Sequence, residues 1–149
     1  MLKTRIITAL ISLVLIGIVL FALPPQYAEW LIGLLLVVGA WEWAGFLQLS
    51  SAAARGAYTA VIAVGLALIY FVFPEQTTLL LQIACVWWVV AFLWTFRFPT
   101  AIPMPVRWIS GLLVIVPLYA ALILLLRLGV DYLIFTLLIV WAADAGAYF

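Results

Sequence analysis

The sequence predicts an all-α, polytopic integral membrane protein with about six transmembrane helices. Three observations carry that prediction. Hydrophobic residues make up 71% of the 149-residue chain and charged residues 7%, against about 45–50% and about 25% in soluble domains. Mean hydropathy is +1.43. The apolar residues also fall into six runs of 17 to 20 residues, each close to the ~20 needed to cross a hydrocarbon core of ~30 Å. Lipid offers no partner to a free backbone N–H or C=O, so these runs are expected to be helices.

The runs are taken in order. Ile6–Leu23 follows the basic start Met1–Arg5 and is a largely apolar stretch of 18 residues, longer than the usual signal-peptide core of about 7–15. It reads as an uncleaved first span. Pro24 and Pro25 separate it from Trp30–Leu49, and Ser50-Ser51 separates that run from Ala57–Phe73. Pro74 precedes Leu79–Phe96, and a loop with Pro99, Pro103 and Pro105 precedes Ile109–Leu126. Pro117 lies inside the fifth run and is expected to kink it. Gly129 ends that run, and Tyr132–Phe149 is the last. The expected organisation is one transmembrane domain over residues 1–149, with spans at 6–23, 30–49, 57–73, 79–96, 109–126 and 132–149.

Composition also excludes functions. The chain has no histidine, which rules out a histidine-bound zinc or a Ser-His-Asp triad within it. Its single cysteine, Cys85, leaves no internal disulfide. A net charge of +1 makes no case for nucleic acid.

Alternating the six spans puts Lys3, Arg5, Arg55, Arg97 and Arg107 on one side and Glu29, Glu75, Arg127 and Asp131 on the other. Five basic residues against one place the N-terminus in the cytoplasm. Trp30, Trp94 and Trp108 fall near span ends, where aromatic belts form. Arg55, Arg97 and Arg107 act first as topology determinants, with attraction of anionic headgroups as a secondary role.

Two acids fall inside the spans: Glu42 in "GAWEWAG" and Asp144 in "WAADAGAY". A charged carboxylate at mid-span costs about 2.5–3.5 kcal/mol on insertion scales, so both are functional candidates. Each comes twelve residues after the start of its run, some 18 Å in at about 1.5 Å per residue, in the cytoplasmic half of the bilayer. No basic residue lies at that depth. Protonation, a metal ion or an outside partner remains, and Mg²⁺ is commonly held by one or two carboxylates plus substrate phosphates. Asp144 is set among Ala142, Ala143, Ala145, Gly146 and Ala147, small residues that allow close approach to the backbone. Trp141 and Tyr148, at i−3 and i+4, share its face. Trp41 and Trp43 flank Glu42 and point to a packed site.

The chain resembles the bacterial phosphatidate cytidylyltransferases, also called CDP-diglyceride synthases. The resemblance runs through "MLKTRIITA", "LPP" at Leu23–Pro25, "AWEW" at Ala40–Trp43, "WWVVAFLW" at Trp87–Trp94, "GLLVIVP" at Gly111–Pro117 and, most specifically, "VWAADAGAYF" at Val140–Phe149. It implies an Mg²⁺-dependent inner-membrane enzyme, a homodimer, that forms CDP-diacylglycerol and pyrophosphate from CTP and phosphatidate. It implies that Asp144 belongs to the metal and nucleotide site and that Tyr148 lines it. Glu42 matches a recurrent glutamate of the second span with no assigned role. Family members continue into a basic cytoplasmic segment, further spans and a closing Lys, Asp and His-Gly-Gly signature, so the chain is expected to be an N-terminal portion, truncated and inactive alone. The competing expectations are a fragment of a proton- or cation-coupled transporter, with Glu42 and Asp144 relaying charge, and a scaffold in which both acids only pack.

Overall fold

A computed structural model of the chain describes residues 2–148, with side chains 7, 11 and 14–147. Lys3 and Arg5 carry side chains outside that set, as does Tyr148, and Phe149 lies outside it altogether. Six α-helices follow in order: α1 (Leu2–Phe21), α2 (Pro25–Phe46), α3 (Ala52–Ala67), α4 (Thr77–Thr95), α5 (Met104–Leu128) and α6 (Val130–Tyr148). A π-helical turn, Leu68–Val72, continues α3, and a 3₁₀ turn, Pro74–Gln76, leads into α4. Five stretches are long and apolar enough to cross a bilayer: Pro25–Phe46, Ala52–Val72, Pro74–Thr95, Met104–Leu128 and Val130–Ala147. α1 adds a 20-residue helix where the first span is expected. The chain is thus an all-α, multi-pass membrane protein.

The helices start earlier than the apolar runs, for local reasons. Pro25 opens α2, and Pro105 falls in the first turn of α5, where the missing N–H has no intrahelical partner to lose. Ser51 caps α3, its hydroxyl accepting from Ala54 N at 3.1 Å. Gln48, after the end of α2, has φ 58, the left-handed conformation that commonly closes a helix. Gly129, at φ 156, takes the same part between α5 and α6. α5 runs through the buried Pro117 without a break.

The chain divides into two compact units, residues 1–32 with 124–149 and residues 33–123. In the second, Tyr58, Ile62 and Leu66 form the buried stripe of α3 at i, i+4, i+8 spacing. Ala40 and Ala44 of α2, Leu47 just after it, Ala84 of α4 and Ile115, Val116, Tyr119, Ala120 and Ile123 of α5 are its other buried hydrophobic residues. Residue pairing gives the helix directions. Gly33 faces Tyr119 while Trp43 reaches Arg107, so α2 and α5 are antiparallel. Tyr58 reaches Trp108 and Gly65 faces Val116, so α3 and α5 run parallel.

Three helices interlock around Gly111. A Cβ there would lie 2.6 Å from Trp43 Nε1 and in collision with the Tyr58 hydroxyl, so only glycine fits. The polar tips are satisfied by the first turn of α5: Tyr58 O–H donates to Trp108 O at 3.1 Å and Trp43 Nε1 to Arg107 O at 3.4 Å. The Tyr58 and Trp108 rings meet edge to face with centroids 5.3 Å apart.

In the first unit, Ala28, Leu126 and Leu133 are buried together with one acid, Glu29, 6% exposed. Arg127 donates to it through Nε at 2.7 Å and Nη2 at 3.4 Å. The sequence reading leaves Glu29 in a loop before the second span. The structure corrects this, because α2 starts at Pro25 and carries Glu29 within its apolar length.

Candidate functional site

Asp144 lies on α6, fourteen residues after Val130. Its side chain is exposed, as are those of Trp141, Ala142, Ala143, Ala145 and Ala147 around it. A Cβ added at Gly146 would meet nothing within 4 Å. This end of α6 is therefore apolar and exposed all round, with a single carboxylate on it. Among the described residues Asp144 makes no hydrogen bond and no ion pair. Tyr148 follows one helical turn later on the same helix. The Tyr148 side chain itself lies outside the described residues.

Glu42 lies on α2, four residues before its end at Phe46. The flanking tryptophans do not enclose it. Trp43 turns inward to Arg107 O, and Glu42 is exposed. The packed site expected from its bulky neighbours is therefore corrected to an open one. Glu42 and Asp144 belong to different compact units.

Two of the three basic residues of the second unit are held by their Nε atoms. Arg55 Nε donates to Leu49 O at 3.1 Å and Arg107 Nε to Ile102 O at 3.0 Å. Both arginines keep their terminal nitrogens for other acceptors. Arg97, one residue past the C-cap of α4, is exposed, and its side chain has no partner among the described residues.

The donor set decides what Asp144 can do. No group of three or more His, Cys, Asp or Glu side chains suited to a metal ion occurs among the described residues. A closed protein cage is thus not what this face offers. One carboxylate on an open face fits a hard cation whose remaining ligands come from water and a phosphorylated ligand. Sequence reasoning missed the Glu29–Arg127 pair and the joint at Gly111. The pair joins residues 98 positions apart, and its one signal is that an acid and a base fall at the same end of the predicted spans. The joint's signal is the presence of Trp43, Tyr58 and Trp108 near predicted span ends.

Comparison with known proteins follows the same line. The chain matches the cytidylyltransferase family over residues 3–149. It is 35% identical over 155 residues to a phosphatidate cytidylyltransferase of Pseudomonas aeruginosa, covering 100% of this chain and 57% of the relative. It is 28% identical over 174 residues to a phosphatidate cytidylyltransferase of Haemophilus influenzae, covering 100% of this chain and 60% of the relative. The chain therefore spans less than two thirds of the length of these curated relatives. No solved structure matches it.

Proposed function

The chain belongs to the cytidylyltransferase family, and on that premise we propose that it supplies the Asp144-bearing membrane part of an enzyme that makes CDP-diacylglycerol from CTP and phosphatidate. The observation that carries the proposal is the family match over residues 3–149, which includes an unpartnered carboxylate on an open helix face. The same match speaks against the transporter alternative.

The proposed chemistry balances simply. A phosphate oxygen of phosphatidate attacks the α-phosphorus of CTP, the bond to the β-phosphate oxygen breaks, and pyrophosphate leaves. The attacking phosphate is already anionic near neutral pH, so a chain with no histidine lacks nothing as a base. Asp144 is the residue that would hold Mg²⁺. When bound there, Mg²⁺ would neutralise charge on the phosphates. Asp144 fixes where the triphosphate is held, and the small residues beside it leave room for that approach. Tyr148, one turn away, would line the same site. Glu42 is given no catalytic part.

We place the protein in the bacterial inner membrane with its N-terminus and its Arg55, Arg97 and Arg107 in the cytoplasm, on the side CTP reaches. A homodimer belongs to the same proposal. The 149 residues alone are expected to be inactive, because they offer one phosphate-side carboxylate where Mg²⁺–nucleotide chemistry commonly uses more than one anchoring group.

The experiment is a chimera in which residues 3–149 replace the matching segment of the Pseudomonas aeruginosa relative. Purified in detergent and given CTP, phosphatidate and Mg²⁺, it is expected to release pyrophosphate and form CDP-diacylglycerol. A folded chimera that forms none overturns the reading. Turnover by the isolated 149-residue chain would overturn the expectation of inactivity.

A further inference from the structure

The end of α4 carries a groove that the proposed reaction does not use. Val90, Leu93, Trp94, Phe96 and Arg97 line a cavity of about 580 Å³, within the range of about 300–1,000 Å³ usual for ligand pockets. Val90, Leu93 and Trp94 are spaced i, i+3, i+4 on α4, which places them on one side of the helix, and Arg97 follows just past the C-cap Phe96. The row thus begins with aliphatic side chains and leads to a guanidinium.

The head of the groove is built, not loose. Trp94 Nε1 donates to Thr100 Oγ1 at 2.8 Å, which folds the following loop back onto the helix end. Arg97 N donates to Trp94 O at 3.0 Å, which fixes the backbone from which the guanidinium projects. Among the described residues no acid lines the cavity, and Glu75 lies at the opposite end of α4. Phe96 beside Arg97 is 73% exposed and Leu93 is 59% exposed, so the apolar wall faces outward from the bundle.

We infer that this groove binds one anionic phospholipid, with its phosphate on Arg97 and an acyl chain along Leu93 and Val90. The charge and the apolar row select that occupant together. A free phosphate would use Arg97 and leave the row uncovered, and a zwitterionic lipid would bring a cation beside the guanidinium. The inference goes beyond cytidylyl transfer and does not depend on it.

The test is native mass spectrometry of the purified chain released from mixed micelles containing equal phosphatidylglycerol and phosphatidylcholine. The wild type is expected to retain phosphatidylglycerol with about fivefold preference, the size of one basic contact near a membrane surface. Arg97→Gln is expected to bring that preference to parity, Arg97→Lys to keep most of it, and Arg55→Gln to leave it unchanged. Val90→Trp, which fills the groove without touching the charge, is expected to lower lipid retention. Equal helicity of the variants by circular dichroism shows that they remain folded. Unaltered preference in Arg97→Gln overturns the inference. So does an equal loss in Arg55→Gln, or full displacement of the lipid by a millimolar excess of inorganic phosphate, which would make the site one for free phosphate.

Discussion

Glu29 and Asp144 are acids of the same compact unit, each on an apolar helix, and the fold treats them differently. Glu29 is 6% exposed and is gripped by Arg127 at 2.7 Å. Asp144 is exposed and has no partner among the described residues. A charge in lipid costs several kcal/mol unless something compensates it. At Glu29 the chain compensates it internally, and the pair fastens the start of α2 to the end of α5. At Asp144 the described residues do not, which leaves protonation, a metal ion or a partner outside them. Pairing separates the two acids here, where depth in the sequence could not.

The contrast can be broken in several ways. The largest effect is expected at Asp144. In the chimera with the Pseudomonas aeruginosa relative, Asp144→Asn should lower CTP-dependent turnover by about 100-fold or more, the scale of losing one charge-stabilising group at a phosphoryl centre. Its unfolding midpoint should stay at the parent value. If the midpoint falls instead, Asp144 is a packing residue. Gly111→Ala comes next, because its methyl would collide with Trp43 and Tyr58. Overpacking of this kind costs about 1–3 kcal/mol, read as a lower denaturation midpoint. Arg127→Met should destabilise by about 1–2 kcal/mol, below the range for fully buried pairs because the Arg127 side chain is 50% exposed. It should leave the turnover of folded protein unchanged, and a selective loss of turnover would erase the distinction between the two acids. Glu42→Gln should be smallest, within about 0.5 kcal/mol, as for other exposed positions. A larger loss would return Glu42 to the packed role its tryptophan neighbours imply.

Much of the fold was legible because lipid leaves the backbone few choices. Apolar runs near span length become helices, and each of the six does so here. What the runs could not show is where the helices start. Pro25 and Pro105 read as breaks yet lie in first turns, and α3 begins at Ala52, five residues before the apolar run at Ala57, so Arg55 is helical. Asp144 was legible as a lone carboxylate in an apolar run. The Glu29–Arg127 pair was not, since periodicity says nothing of contacts 98 residues apart. The joint at Gly111 was hidden for the same reason: a glycine in an apolar run gives no sign that Tyr58 and Trp43 converge on it.

The central claim is that Asp144 is the ligand through which this chain engages a metal–nucleotide complex. Its most direct measurement is Mn²⁺ binding, with Mn²⁺ standing in for Mg²⁺, followed by electron paramagnetic resonance on the CTP-loaded chimera. The parent and Arg127→Met should bind Mn²⁺ alike, and Asp144→Asn should weaken binding by about 10-fold or more. Asp144→Asn protein that binds Mn²⁺ and CTP as the parent does would contradict the account.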